Sequence, residues 1–370
     1  MPSKSRSIEI LFLVSISLAS AQLPKFGLLC DLDANKDVYK DAKNLVYKWE
    51  NQAVPVGHPG REFVERIYST RPSPLGRPTY KPNQINGFPS LAFWGNPSLE
   101  IISGDDLINM DGPDVYDHLI QGSGYTWIAV IKPYKQISVN NVDNSTKDIN
   151  ILFGNLKNGD TGTCQYCGFW GGISGSDDRP MFFWAGNRGD DDFTAGAPYE
   201  NQPYSTNSTG HYRSDGNPHV HAKQMTVDKW EIVGARMASG TGDVWIETFM
   251  GNSNVIIAKK PWRVYENYNS SEDADMLVIG TERDAKEHVG LESFDGEFAR
   301  FLIWERPLND AELQQALNAI DSIYFRAPVG LGQPRKADEI SKRLQATDCG
   351  RSWYKKRSLN GRSLGTGKAK

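Results

Sequence analysis

The feature that most constrains the fold is a long series of short apolar runs, four to seven residues each, between residues 27 and 325. Clusters of Gly, Pro, Asn and Asp separate these runs, and apolar runs of this length between such clusters are typical of β-strands. Aromatic residues, at 11% of the chain, favour strands further. The predicted strands are 88–93, 125–131, 149–153, 180–184, 230–235, 244–249, 276–279 and 298–304.

One segment has the pattern of a helix. Asn309 and Asp310 can cap residues 311–323, in which apolar residues recur at helical spacing. Many strands followed by a single helix indicate an all-β sandwich with one C-terminal helix.

Several segments resemble secreted concanavalin A-like, or laminin-G-like, jelly-roll domains. They are LLCDLDA (28–34), VYKWENQ (46–52), RPTY (77–80), INGFPSLAF (85–93), LVIG (277–280), FDGEFARFLIW (294–304) and RPLNDAEL (306–313). The resemblance implies a jelly-roll β-sandwich over residues 22–325. It does not imply one activity, because this fold hosts lectins, adhesion modules, glycoside hydrolases and polysaccharide lyases.

The N-terminus has the pattern of a secretion signal. Lys4 and Arg6 precede an apolar run, 8–18, which ends in the small residues of 19–21. The run is shorter than the roughly 20 apolar residues that a bilayer requires. We therefore expect residues 1–21 to be a signal peptide, the protein to be secreted to the extracellular space, and the chain to have no membrane span.

Four cysteines in an exported chain predict two disulfides, with three possible connectivities. A bond between Cys164 and Cys167 closes a small loop and leaves Cys30 to pair with Cys349. The Cys164–Cys167 spacing can also hold zinc, but no second pair of similar spacing completes four ligands.

Three glycosylation sequons lie in polar stretches that we interpret as surface loops, at Asn144, Asn207 and Asn269.

Charge divides the chain into an acidic body and a basic tail. Residues 326–370 carry twelve Lys or Arg against three Asp or Glu, so they contribute +9 to a net charge of −4 and leave −13 for residues 1–325. The tail's Gly, Ser and Lys content indicates a largely disordered arm that could bind an acidic polymer. Specific nucleic-acid recognition is not expected, because the body is acidic and an arm alone attaches non-specifically.

Catalytic patterns are weak. A retaining glycosidase needs two carboxylates about 5 Å apart, but Glu292 and Asp295 are three residues apart and fall on opposite faces of a strand. Glu297 belongs to the closing motif of the fold, so we interpret it as structural.

A polysaccharide lyase needs a proton-transferring residue beside a group that neutralises a uronate. His219 and His221 alternate along one strand, with Tyr212 and Arg213 nearby, which makes these four the catalytic candidates if the protein is a lyase.

Two binding features remain. Asp31, Asp33, Asn35 and Asp37 place oxygen ligands at alternate positions, as the first half of a calcium loop does. Since laminin-G-like domains often hold a calcium ion at their rim, the resemblance adds weight to a structural calcium site. The Gly and the closing Glu of a complete calcium loop are missing, so a solvated acidic loop is the alternative.

Tryptophans near the predicted loops provide the other binding feature, because aromatic faces can stack on sugar rings. Trp94, Trp170 and Trp184 are the candidates. The sequence therefore predicts a secreted, non-catalytic carbohydrate-binding or extracellular-matrix protein whose partner is a glycan or an acidic matrix polymer. A polysaccharide lyase that acts on an acidic glycan is the alternative. The oligomeric state is left open.

Overall fold

The computed structural model describes residues 22–65, 76–94, 105–109, 115–120, 122–135, 149–155, 169–174, 181–185, 220–240, 242–252, 256–264, 277–281 and 293–326. Within them the chain forms two antiparallel sheets and one C-terminal α-helix, which confirms the predicted all-β jelly-roll sandwich. None of the helices in these ranges is long and apolar enough to cross a membrane.

The first sheet has eight strands, in the order β15-β14-β13-β8-β17-β6-β5, with β1 also paired to β17. Their bounds are β1 Leu28–Asp33, β5 Thr79–Ile85, β6 Phe88–Phe93, β8 Tyr125–Pro133, β13 Glu231–Met237, β14 Gly242–Met250, β15 Ile256–Val264 and β17 Gly296–Trp304.

The second sheet has nine strands, in the order β12-β11-β10-β9-β16-β7-β4-β3-β2. Their bounds are β2 Val38–Lys40, β3 Val46–Glu50, β4 Glu62–Val64, β7 Leu107–Asn109, β9 Ile149–Gly154, β10 Trp170–Ser174, β11 Met181–Ala185, β12 Val220–Gln224 and β16 Leu277–Ile279. Two short 3-10 turns, Pro59–Arg61 and Asp117–Ile120, join the strands.

The main core lies between the sheets and is rich in aromatic side chains. Trp127 on β8 meets Phe153 on β9 with ring centroids 4.9 Å apart, and Phe153 meets Phe301 on β17 at 4.6 Å. Buried aromatic pairs of this kind contribute about 0.5–1.5 kcal/mol beyond the burial of their area.

A helix, α1 (Asp310–Tyr324), covers part of the outer face of the first sheet. The Asn309 side chain accepts a hydrogen bond from the backbone of Glu312, and the Glu312 carboxylate accepts one from the backbone of Asn309. This capping box confirms the predicted helix start. Leu313 and Leu317 bury the inner face of the helix against Ile128 and Trp304.

Two residues of the VYKWENQ segment connect β1 and β3, which belong to different sheets. The Trp49 indole donates a hydrogen bond to the Asp33 carbonyl at 3.1 Å. The fully buried Asn51 accepts from the backbone of Asp31 and donates to the carbonyls of Leu29 and Gly60. Because one side chain satisfies these backbone groups, the edge of the sandwich closes without unpaired polar atoms at these positions.

A β-bulge in β17 determines which of its side chains face outward. Phe298 pairs with Ile131, but Arg300 pairs with Val130, so β17 has one extra residue at this point. Phe298 and Phe301 consequently both point into the core between the sheets, while Ala299 packs under the helix. The extra residue also lets Arg300 reach Asp31 on the helix side of the sheet.

Candidate functional site

A polar row crosses the outer face of the first sheet, beyond the part that the helix covers. Lys81 on β5 pairs with Ser90 on β6, and Glu297 on β17 pairs with Lys132 on β8. The pairing of strands from three distant parts of the sequence thus brings two lysines and one carboxylate together. We call this site the aromatic–lysine surface, and it consists of Lys81, Lys132, Glu297, Trp94, Tyr134 and Trp230.

Glu297 is the centre of the aromatic–lysine surface, and its side chain is 0% exposed. Its Oε1 lies 2.6 Å from Lys132 Nζ and 3.2 Å from Lys81 Nζ, and it also accepts a hydrogen bond from the Tyr134 hydroxyl. The Ser90 hydroxyl donates to Oε2. Four donors therefore compensate the burial of one charge, as a buried carboxylate requires.

Three aromatic rings surround the two ammonium groups. Trp94, which directly follows β6, is 48% exposed and lies 5.1 Å from the Tyr134 ring at an interplanar angle of 41°. Lys81 Nζ is 5.4 Å from the centroid of Trp94 and 5.2 Å from that of Tyr134. Lys132 Nζ is 5.4 Å from the centroid of Trp230. These distances are those of cation–π contacts.

The protonation states follow from these contacts. Burial by itself raises the pKa of Glu297, but the Lys132 ammonium and the hydroxyls of Ser90 and Tyr134 together outweigh it, so the pKa lies below its usual 4.5. Burial, and then the Glu297 carboxylate, raise the pKa of Tyr134 above its usual 10. At neutral pH the carboxylate is therefore ionised and the phenol is protonated.

We expect Glu297 to contribute a pH-dependent part of the stability. Because its folded-state pKa is lowered, this contribution is complete above about pH 4.5 and is lost as the pH falls through the folded-state value. Each unit of lowering corresponds to about 1.4 kcal/mol.

The difference in unfolding free energy between the wild type and Glu297→Gln, measured by urea titration, should therefore shrink as the pH falls from about 5 to about 3. A difference that is constant over this range would contradict the lowered pKa.

A concave region of about 710 Å³ lies beside β3 and β4 and is lined by Tyr39, Glu50, His58, Arg61 and Asn109 among others. Its charged groups are engaged with one another, since Arg61 Nη2 is 2.9 Å from Glu50 and Lys48 is 2.9 Å from the same carboxylate. Its described lining contains no tryptophan. The aromatic–lysine surface is therefore the stronger candidate.

The three predicted tryptophans do not lie on one sheet. Trp94 borders the first sheet, whereas Trp170 on β10 and Trp184 on β11 belong to the second. Only Trp94 joins the aromatic–lysine surface, and ligand binding by Trp170 and Trp184 stays a prediction.

The proposed lyase residues are largely outside the described ranges. His221 lies on β12 and pairs with Phe183, while Tyr212, Arg213 and His219 fall outside the described residues. The lyase assignment of these residues stays a prediction.

Three of the four candidate calcium ligands, the aspartates, have other partners. Both oxygens of Asp31 accept hydrogen bonds from Arg300 at 2.8 Å. Asp33 accepts from the backbone of Asn35, and Asp37 accepts from Gln52. In the described part of the chain, no three His, Cys, Asp or Glu side chains form a group that could hold a metal ion. Calcium binding stays a prediction.

Cys30 is fully buried in the core and has no disulfide within the described residues. Burial, and then the neighbouring Asp31, raise the pKa of its thiol, so the thiol is protonated. Its predicted partner Cys349 lies outside the described residues, as do Cys164, Cys167, the sequons at Asn144, Asn207 and Asn269, residues 1–21 and residues 327–370.

No protein-family model matches the chain, and a search of curated proteins finds no match. Three solved structures illustrate what the chain is similar to. A heptameric SAP-like pentraxin from Limulus polyphemus is 14% identical over 61% of this chain and 79% of its own, with a TM-score of 0.36. CBM40 of the Ruminococcus gnavus IT-sialidase, bound to α2,3-sialyllactose, is 10% identical over 53% of this chain and 83% of its own, with a TM-score of 0.35.

The third structure is the binding domain of botulinum neurotoxin DC in complex with SialylT. It is 10% identical over 80% of this chain and 52% of its own, with a TM-score of 0.42. Similarity at this level establishes neither the family of this chain nor its ligand. The class of the protein, a jelly-roll β-sandwich with one C-terminal helix, rests on its own strand pairing.

Proposed function

We propose that this chain is a secreted, non-catalytic carbohydrate-binding protein of the extracellular matrix, and that the aromatic–lysine surface is its glycan site. The exposed Trp94 carries this proposal. A tryptophan that is 48% exposed, tilted against a second aromatic ring and bordered by charged donors, has the composition of a sugar-binding surface.

The state of the charged groups supports binding rather than catalysis. A general acid must be protonated and able to release its proton, and a nucleophile needs access to the substrate. Glu297 is ionised, fully buried and bonded to four donors. Tyr134 holds its proton well above neutral pH. Neither group is suited to proton transfer at neutral pH.

The basic tail, residues 326–370, is the second part of the proposal. Its nine excess positive charges would attract an acidic matrix polymer over a long range and raise its local concentration near the sandwich.

The replacement Trp94→Ala is expected to weaken glycan binding about 30-fold, which is about 2 kcal/mol, because it removes the exposed aromatic face. Binding would be measured by calorimetry on a panel of neutral and acidic polysaccharides, with and without calcium. Ultraviolet absorbance and polymer length would be followed on the same samples.

Trp245→Ala is the matched control, since Trp245 on β14 is also 48% exposed. It should leave affinity unchanged. Equal losses in the two variants, or no loss in either, would remove Trp94 from the site. Unsaturated, ultraviolet-absorbing ends would instead identify a lyase and overturn the non-catalytic assignment.

A further inference from the structure

We infer that the aromatic–lysine surface selects saccharides that carry an anionic substituent, a carboxylate or a sulfate, and that Lys81 is the residue that recognises it. This inference rests on the proposed function and specifies the ligand class of the same site.

The charge balance of the site is the first observation. Two ammonium groups, of Lys81 and Lys132, share the single carboxylate of Glu297. Ser90 and Tyr134 supply its other hydrogen bonds without adding charge. These three ionic groups therefore leave one positive charge at the site. Of the neighbouring ionic residues, Asp228 and Lys229 are both exposed and opposite in charge, and the Asp105 carboxylate accepts a hydrogen bond from the Trp94 backbone at 3.1 Å.

The accessibility of the lysines is the second observation. The Lys81 side chain is 29% exposed and that of Lys132 is 17% exposed, whereas Glu297 is closed to solvent. An ammonium has three N–H donors. Within the described part of the chain, Lys81 uses two of them, on Tyr134 at 2.7 Å and on Glu297 at 3.2 Å. Its third donor can therefore bind an anion.

The position of Lys81 is the third observation. Its ammonium lies 5.4 Å from the centroid of the exposed Trp94 ring. Because the ammonium lies over one face of this ring, a saccharide that packs against the exposed part of Trp94 can place a substituent beside Lys81.

Glu297 contributes to recognition as a positioning residue. A free lysine side chain loses conformational freedom when a ligand immobilises it, and this loss weakens binding. Because Glu297 and Tyr134 already hold Lys81 in place, little of that loss remains for the binding step. The site thus presents its spare positive charge in a fixed position.

Matched oligosaccharide pairs test the inference on the full-length protein. One pair is oligogalacturonate and its methyl ester, in which a methyl group replaces the carboxylate charge. The other is carrageenan oligosaccharide and its desulfated form, which differ in the sulfate.

The wild type should bind at least one charged member about 10-fold more tightly than its neutral partner, and this preference should fall as salt is raised. The pair that shows the preference identifies the anionic group.

Lys81→Gln should reduce the preference to about 2-fold or less, because it weakens binding of the charged member more than binding of the neutral one. Lys81→Arg keeps the charge and should retain most of the preference, which covers the case in which the glutamine variant fails to fold. Lys40→Gln is the control, because Lys40 also lies over a ring, 4.2 Å from the Tyr80 centroid, but belongs to β2 of the other sheet.

Two results would overturn the inference and leave the proposed function standing. The first is that charged and neutral members bind with equal affinity and that this binding depends on Trp94. The second is that Lys81→Gln still prefers the charged member. If Lys81→Gln weakens both members equally, Lys81 is structural and the inference also fails. If no saccharide of the larger panel binds, the proposed function itself is wrong.

Discussion

Replacing Arg300 by methionine is expected to lower the free energy of unfolding by about 3–5 kcal/mol. Arg300 Nε and Nη2 each donate to one oxygen of Asp31 at 2.8 Å, and both side chains are less than a tenth exposed. Without the guanidinium, a buried carboxylate loses its counter-ion, and this uncompensated charge dominates the cost. Urea titration at neutral pH measures the change.

Two further variants separate this cause from ordinary loss of packing. Adding Asp31→Leu to Arg300→Met removes both charges, so the double variant should return to within about 2 kcal/mol of the wild type. Arg306→Met is the surface control. Arg306 makes an equally short bidentate pair with Glu312, but both groups are partly solvated, so about 1 kcal/mol is expected. A loss at Arg300 no larger than that at Arg306 would contradict the argument.

The Arg300 pair also shows why alternating acidic residues in β1 suggested calcium. In a sequence, Asp31 and Asp33 are oxygen ligands at the correct spacing, and nothing local indicates a competing partner. That partner lies 269 residues away on β17, and the β-bulge at Ala299 brings it to the same side of the sheet. A bulge changes the side of the sheet toward which the following residues point, but it leaves no clear signal in the sequence. The Asp31–Arg300 pair could therefore not be predicted.

The predicted strands and helix are confirmed because each depends on local chemistry. Apolar runs between turn residues define β6, β8 and β17, and the capping box at Asn309 defines the start of α1. Strands of only three residues, such as β2 and β7, are too short to show alternation. The edge strand β15 contains Pro261, which argues against a strand in a sequence and is tolerated at a sheet edge.

The candidate site was predictable only in part. The sequence singled out Trp94, but it assigned Glu297 to the closing motif of the fold and gave Lys81, Lys132 and Tyr134 no role. Their association depends on the pairing of four strands. One signal was present, since Lys132 and Glu297 lie in largely apolar strands, and a charge within a buried strand requires a partner.

Replacing Gly280 by alanine is expected to lower the free energy of unfolding by about 3–5 kcal/mol. Gly280 has a φ of +96°, which is unfavourable for any side chain. A Cβ there would lie 2.3 Å from a ring carbon of Phe93 and 2.6 Å from the Asp105 carbonyl oxygen.

Gly251→Ala is the control, because its φ is +78° and nothing lies within 4 Å of its Cβ position. Strain alone should lower its stability by about 1 kcal/mol.

Gly280→Ala should also weaken glycan binding, because the residues that the added Cβ would crowd hold Trp94 in position. Asp105 donates its backbone N–H to the Trp94 carbonyl at 2.9 Å and accepts from the Trp94 backbone through its carboxylate at 3.1 Å. A Cβ at Gly280 would displace both Asp105 and Phe93, the residue before Trp94. Calorimetry on the folded fraction should therefore show weaker binding for Gly280→Ala and unchanged binding for Gly251→Ala. If Gly280→Ala is destabilised but binds glycan normally, the position of Trp94 does not depend on this contact, and the site is more independent of the sandwich core than these distances indicate.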